Sequence, residues 1–568
     1  MKTRFSRIIL LTAISLSALH AQILQVNSDS GEIGKYEKTE FDIRLIANWQ
    51  CPYTASDVAL EMHFKTPQGD KDCLPCYYVE GQSGQPSHWQ ARFAPIWTGI
   101  YQYQFQLFDD GICVDSTSMN ELTVHASDQK GFLRPRELWT WQFDNGDVFR
   151  GIGENIGWEA RTHDDSRYFS ELHENPRFNY RDMLTKLAAN GGNFFRTWMI
   201  YWNLPVDWKQ VDNSNRYQNS ASRFNESGIR RMDELVNLCD SLGIYMMLTL
   251  DSHAGFAGAG WDMNSYNIKN GGPARTAREF FTLDQAKARY KDKLRFMIAR
   301  WGYSPSIATW ELFNEIDNIM YQTDPSIPDS AITTWHEEMS SYLKAIDPYH
   351  HMVTTSISHR EVEGLNEIAT LDVNQKHMYR HTGEIPGTLR TYSAKFQKPY
   401  VIGEFSYEWD WQKNFNEMAA GMDSDFKRGL WYGLFSPTPV LPITWWWEFF
   451  DDRDMTVYFK QVQQMVNRMQ LAGKGNYQQY PVQVSDPDII ALAVQCGLAG
   501  FVYLWNPGPD ERHTDIYFHG LIEGPIDVFQ CESGQIRPLN KKADKNILKG
   551  FSVAGMEDKI LIFDMGTH

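Results

Sequence analysis

The stretch SGIRRMDELVNLCDSLGIYMMLTL, Ser227 to Leu250, contains a helix, a stop signal and a strand. Ile229, Met232, Leu235, Cys239 and Leu242 recur at helical spacing and form one apolar stripe. Gly243 fits the left-handed residue that closes a helix, because it carries no Cβ to clash there. Ile244 to Leu250 is then a short apolar run of strand length. A helix leading directly into a buried strand is the repeating half of a parallel α/β fold.

The pattern recurs outward from this stretch. A second helix is expected over 331–346, with Ile332, Trp335, Met339, Leu343 and Ile346 inward. Eight strand candidates follow one another at 148–153, 193–199, 244–250, 307–313, 351–357, 373–379, 400–405 and 442–447. Eight such units point to a (β/α)8 barrel over 140–472. A doubly wound sheet is the competing fold, but Gly151-Ile152-Gly153-Glu154-Asn155-Ile156 lacks the third glycine of a dinucleotide loop. Residues 22–128 instead alternate with period two, as in Phe41 to Ala47 and Tyr101 to Phe108, which predicts an antiparallel sandwich. Residues 480–568 return to short strands, giving a smaller C-terminal β-domain.

Lys2, Arg4 and Arg7, the apolar run Ile8–Leu19 and the small Ala21 read as an export signal over 1–21. No cysteine follows to take a lipid. No later run of about 18 apolar residues is present to span a bilayer, so a periplasmic or extracellular product is expected. The net charge of −17 argues against a nucleic-acid partner. Cys51, Cys73, Cys76 and Cys113 cluster near the N-terminus, where an oxidising compartment permits disulfides. Cys73-Leu-Pro-Cys76 has the spacing of a redox pair without the surrounding βαβ pattern.

In a barrel of this kind chemistry sits at the C-terminal ends of the strands. Those ends carry Glu154 and Asn155, Arg196 and Trp198, Asp251 and His253, Asn314 and Glu315, His359, His377 and Tyr379, Glu404, and Trp445 to Glu448. Two carboxylates on opposing strands suit glycoside hydrolysis, one giving a proton to the leaving oxygen and the other attacking the anomeric carbon or activating water. Neither a cofactor nor a metal is called for, because no ligand spacing joins His253, His359 and His377. Glu311 is the runner-up acid, although a strand places it deeper in the barrel than Glu315. Glu154 and Glu448 are weaker alternatives.

IATWELFNE (307–315) and VIGEF (401–405), with Arg196 in NFFRTW, the His377-x-Tyr379 pair and Trp445 in ITWW, resemble the clan A retaining glycoside hydrolases, family 5 among them. The resemblance implies Glu315 as acid/base and Glu404 as nucleophile. It implies Arg196 and Tyr379 bonded to Glu404, Asn314 on the sugar 2-hydroxyl, His377 shaping the subsite, Trp445 stacking on the sugar and His253 contacting the same sugar. The 22–128 region resembles the immunoglobulin-like domains that precede such barrels in bacterial polysaccharide-degrading enzymes. The partner expected is thus a β-linked glycan. The rival reading is a non-catalytic carbohydrate-binding protein on the same scaffold. An inverting hydrolase would hold its carboxyls about 6.5–9.5 Å apart, against about 5–5.5 Å for a retaining one.

Overall fold

The computed structural model describes residues 21–322, 326–408, 410 and 412–565. The export signal expected at 1–21 lies, Ala21 apart, outside the described residues. Among these residues no helix is long and apolar enough to cross a membrane.

The fold is α/β, a barrel flanked by two β-rich regions. The strands Gly153–Asn155, Phe194–Trp198, Tyr245–Thr249, Ile307–Glu311 and Met352–Thr354 pair in parallel in chain order. Ser356–Ile357, Asn374–Tyr379 and Tyr400–Ser406 continue them, also in parallel. Thr444 closes the ring by bridging Glu154 on one side and Phe405 on the other. The helix Glu226–Leu242 forms as its stripe predicts. Asn225 caps its start by accepting from the Ser227 and Gly228 amides, and Gly243 ends it at φ +64°. Met232, Leu235 and Cys239 are buried beneath it.

Two of the eight strands differ from expectation. The first barrel strand is Gly153–Asn155, not 148–153. Val148 and Phe149 turn back instead to pair with Trp141–Phe143 in a small antiparallel sheet. The eighth position is a pair of isolated bridges at Val440 and Thr444, because Pro439 and Pro442 have no N–H to give a ladder and a helix begins at Trp447.

Inside the barrel the residues fall into layers. Phe194, Met247, Met352, Val373, Val401 and Ile443 form an apolar plug, sealed from below by Trp141, Phe143 and Phe149 of the small sheet. Above it, toward the strands' C-terminal ends, Arg196, Thr249 and Glu311 form a polar layer that is completely buried.

The N-terminal region is two facing sheets, antiparallel except where Glu32–Gly34 pairs in parallel with Asn120–His125. One runs in the order Gln22–Ser28, Thr39–Ile46, Pro86–Phe93, Tyr77–Glu80, and the other is built around Gly99–Asp109 and Val58–Lys65. The period-two burial of Thr39–Ile46 puts Phe41 against Phe105 of the opposite sheet, ring centroids 5.5 Å apart. The C-terminal strands form a six-stranded and a three-stranded sheet. All seven cysteines are unpaired. Burial pushes the Cys73 thiol up to about 11 and the Cys76 thiol higher still, away from the thiolate that redox chemistry needs.

Candidate active site

The site is built on the polar layer. Arg196 lies at its centre with no exposed surface. Its guanidinium grips Glu311 with two parallel bonds, Nε to Oε2 at 2.6 Å and Nη2 to Oε1 at 2.8 Å. Nη1 donates to Glu404 Oε1 at 2.7 Å and to Asn155 Oδ1 at 3.1 Å, and Nη2 also donates to Asn314 Oδ1 at 2.5 Å. Thr249 donates to Glu311 at 2.8 Å. Glu311, the alternative acid, is therefore spent on Arg196, whose charge holds it below the ordinary carboxylate range in spite of burial. Asn155 is fixed by donating to the Gly403, Ile443 and Thr444 carbonyls, which ties the first strand to the seventh and eighth positions.

Glu315 and Glu404 stand one step above this layer. One oxygen of each, together with a ring nitrogen of His377, lie within 4.8 Å of one another, and all three residues are buried. Glu315, four residues beyond the strand Ile307–Glu311, sits at φ +48°, a left-handed conformation that a non-glycine residue rarely adopts. The Glu315 amide donates to Ser356 Oγ at 2.9 Å, and the helix Ile316–Gln322 starts directly after it. The Glu315 carboxylate accepts from Asn318 Nδ2 at 2.6 Å and from His377 Nδ1 at 2.7 Å, and His253 Nδ1 is 3.5 Å away. Glu404 accepts the Tyr379 hydroxyl on its other oxygen. Asn314 is completely buried. Its amide oxygen is taken by Arg196 and its Nδ2 faces Ser252 and His253.

These two carboxyls, oxygens within 4.8 Å in a buried site, cannot both ionise freely and share one proton. Burial drives Glu404 above the ordinary range and the Glu315 charge adds to the rise, against the pull of His377 and Arg196. Burial acts on Glu315 as well. There the His377 hydrogen bond and charge, followed by the charge of His253, prevail and hold it at about 2. With both imidazoles charged the polarity is thus the reverse of the expected acid and nucleophile. That polarity hangs on groups that can discharge. Burial lowers His253, and His377 Nε2 is buried with no hydrogen-bond partner among the described residues. Arg196 cannot discharge. Its fixed charge therefore stays on the Glu404 side of the pair.

A cavity of about 310 Å³ opens over the pair, lined by Glu315, Glu404, Tyr379, His253, Asn318 and a wall of aromatic side chains. Trp158 is the hub of that wall. Its ring meets Trp198, Trp202, Trp445 and Trp447 edge-on, with centroids 5.1–5.4 Å apart. Edge-to-face packing sets each positive ring edge against a negative face. Trp445 and Trp447 both turn to Trp158, whereas Trp446 points away and donates to the Tyr407 carbonyl at 2.7 Å.

The remaining candidates fall elsewhere. Lys293 holds Asp251 at 2.8 Å, behind the third strand. His359 is on the cavity rim. Glu154 is buried on the outer side of its strand, and Glu448 lies 3.5 Å from His173. Neither lines the cavity. Sequence reasoning missed Trp158, Trp202 and Asn318, which come from loops and a short helix. Only the three-residue step from Glu315 to Asn318, one helical turn, was there to be read.

A parallel barrel with two facing carboxylates at the C-terminal mouth defines a class, and comparison narrows it. The family model described as Cellulase (glycosyl hydrolase family 5) matches residues 154–419, and the barrel is a glycosyl hydrolase family 5 domain. A domain of unknown function, DUF5060, matches residues 32–107. The chain is 26% identical to mannan endo-1,4-beta-mannosidase A of Podospora anserina over 44% of this chain and 73% of the relative. It is 30% identical to mannan endo-1,4-beta-mannosidase F of Aspergillus fumigatus over 22% of this chain and 26% of the relative. It thus spans from about a quarter to about three quarters of the length of these curated relatives. A crystal structure of a glycoside-hydrolase candidate from Bacteroides vulgatus ATCC 8482 shares the fold at TM-score 0.63 and 11% identity, covering 94% of this chain and 100% of that one.

Proposed function

We propose that the protein is an exported retaining β-glycoside hydrolase, with an immunoglobulin-like domain at 22–128, a catalytic barrel at 140–472 and a β-domain at 480–568. The observation that carries this reading is the juxtaposition of Glu315 and Glu404. Oxygens within 4.8 Å support the short separation of a retaining pair and leave little room for the intervening water of an inverting one. The similarity to mannan endo-1,4-beta-mannosidases makes β-1,4-mannan the first substrate to test.

In the first step a Glu404 oxygen attacks the anomeric carbon. The glycosidic C–O bond breaks, and Glu315 gives its proton to the departing oxygen. In the second, Glu315 takes a proton from water, whose oxygen displaces Glu404 from the anomeric carbon. Arg196 and Tyr379 hold Glu404 in line, and Asn318, His253 and His377 hold Glu315. Trp445 supplies the sugar platform, and Asn314 acts through Arg196 and His253.

The test separates the two roles. Glu404→Ala should lose about 10⁴-fold or more in kcat, and azide should restore turnover with a glycosyl azide of inverted configuration. Glu315→Ala should still react with good leaving groups, and azide should give the retained product. Product stereochemistry by NMR decides. Exchanged outcomes reverse the assignment, and full activity in both variants ends it.

A further inference from the structure

The catalytic cavity is not the largest in the protein. A cleft of about 640 Å³ lies between the N-terminal sheets and the base of the barrel, within the range of roughly 300–1,000 Å³ typical of ligand sites. Tyr349 and His350, which form part of its wall, immediately precede the barrel strand Met352–Thr354. The cleft is therefore at the opposite end of the barrel from Glu315 and Glu404.

Its walls are fixed. Arg134 donates to the Tyr349 carbonyl and, at 2.8 Å, to that of His350. The Ala94 amide donates to the Tyr349 hydroxyl at 3.1 Å. Phe132 stacks on Tyr349 with centroids 5.0 Å apart. The cleft is thus preformed, and no ordering of the two regions is needed for a ligand to enter.

Trp97 lines this cleft with 43% of its surface exposed, unusual for the largest aromatic side chain. Its backbone is tied down by donating to the Tyr101 hydroxyl at 3.0 Å, and Lys35 lies 5.9 Å over its ring. The charges around it balance. Arg134 is paired with Asp144 at 2.8 Å and Lys344 with Asp372 at 2.6 Å. Lys35, Lys71, Asp70 and Asp72 are left with no ion pair among the described residues, two of each sign. A net-neutral set of donors and acceptors outside any ion pair, although Asp72 Oδ1 accepts the Cys73 amide at 2.8 Å, stands beside a flat ring and suits an uncharged, polyhydroxylated ligand. An anion or a cation would meet as much repulsion as attraction.

We infer that the cleft at the base of the barrel is a second glycan-binding site, in which Trp97 stacks on a sugar of a neutral polysaccharide and Lys35, Asp70, Lys71 and Asp72 bond its hydroxyls. The identification of the ligand with the substrate polymer rests on the glycoside hydrolase reading. Because the site faces away from the catalytic mouth, it holds a different chain, or a distant part of the same one, and keeps the enzyme on polymeric material.

The experiment is affinity electrophoresis in native gels containing soluble galactomannan, xyloglucan or mixed-linkage β-glucan. Glu404→Gln is compared with the same protein carrying Trp97→Ala, so that the polymer is not degraded. Retardation by at least one polymer should weaken about tenfold on loss of Trp97, the order expected for one aromatic contact. Trp97→Ala alone should leave kcat/KM on an aryl β-mannobioside unchanged, which also certifies its fold. Retardation that is absent in all three gels, or equal with and without Trp97, overturns the inference. A wild-type enzyme inert on the aryl glycoside removes the proposed activity, while the gels still report on the cleft.

Discussion

The two ends of the barrel are made from the same strands and solve opposite problems. The strand Phe194–Trp198 shows both. Phe194 is in the apolar plug, Arg196 is in the polar layer two residues on, and Trp198 is in the cavity wall two residues further. All three point inward, because side chains of one face repeat every second residue. At the base, stability comes from area removed from water. At the mouth, an arginine and its two carboxylates are buried together, and the desolvation of each is offset only while all partners are present. The plug depends on apolar volume that fills it, whereas the mouth depends on every member.

The largest effect expected from breaking this contrast is at Arg196. Arg196→Met keeps most of the volume but strands Glu311 and Glu404 in the interior without their cation. Breaking such a pair costs about 3–5 kcal/mol. Losing a donor aimed at Glu404, the proposed nucleophile, should lower kcat by about 10²-fold or more. Urea denaturation and kcat on an aryl glycoside, measured together, should both fall. A variant of normal stability would mean that the layer is not the interdependent unit its hydrogen bonds describe.

Phe194→Ala, on the same strand, should lose in only one of those measurements. Emptying a fully buried phenylalanine position costs about 3–5 kcal/mol. The polar layer above it should stay in register, so kcat and its pH profile should be unchanged in the folded enzyme. A comparable fall in kcat would show that the plug sets the positions of Arg196 and Glu311, and the two ends would no longer be separable.

What could be read in advance follows the same division. Periodicity exposed the strands from the second to the seventh, because most are apolar runs with a helix stripe beside them, although the sixth, Asn374–Tyr379, is mostly polar. It failed at the first and eighth positions. There Val148 and Phe149 are apolar but belong to the plug's own sheet, and the prolines around Ile443 leave bridges in place of a ladder. The strand ends yielded Glu315, Glu404, Arg196, His377 and Tyr379, since the fold alone puts such positions at one mouth. The pairing of Glu311 with Arg196 was hidden. It requires the register of the second strand against the fourth, which are not neighbours. Trp158, Trp202 and Asn318 were hidden because loop geometry has no period to detect.

The smallest effect tests the mouth on a finer scale, through His377. In the proposed mechanism the active form of the pair carries one proton, so the acid limb of kcat/KM is expected to mark entry of a second proton and the basic limb loss of the shared one. His377 lowers Glu315 by hydrogen bond and charge, and its charge is the leading group that draws Glu404 down against burial. Removing a group that favours the ionised form raises a carboxyl pKa. His377→Asn should therefore move both limbs to higher pH together, by about one unit, with the plateau reduced. Tyr379→Phe removes a hydrogen bond from Glu404 alone and should raise chiefly the acid limb. The profiles of kcat/KM against pH for the two variants distinguish a group that serves both carboxylates from one that serves a single partner. If the His377 variant shifts one limb only, or shifts either downward, the imidazole does not bridge the pair, and the polarity of the site must be assigned to Arg196 alone.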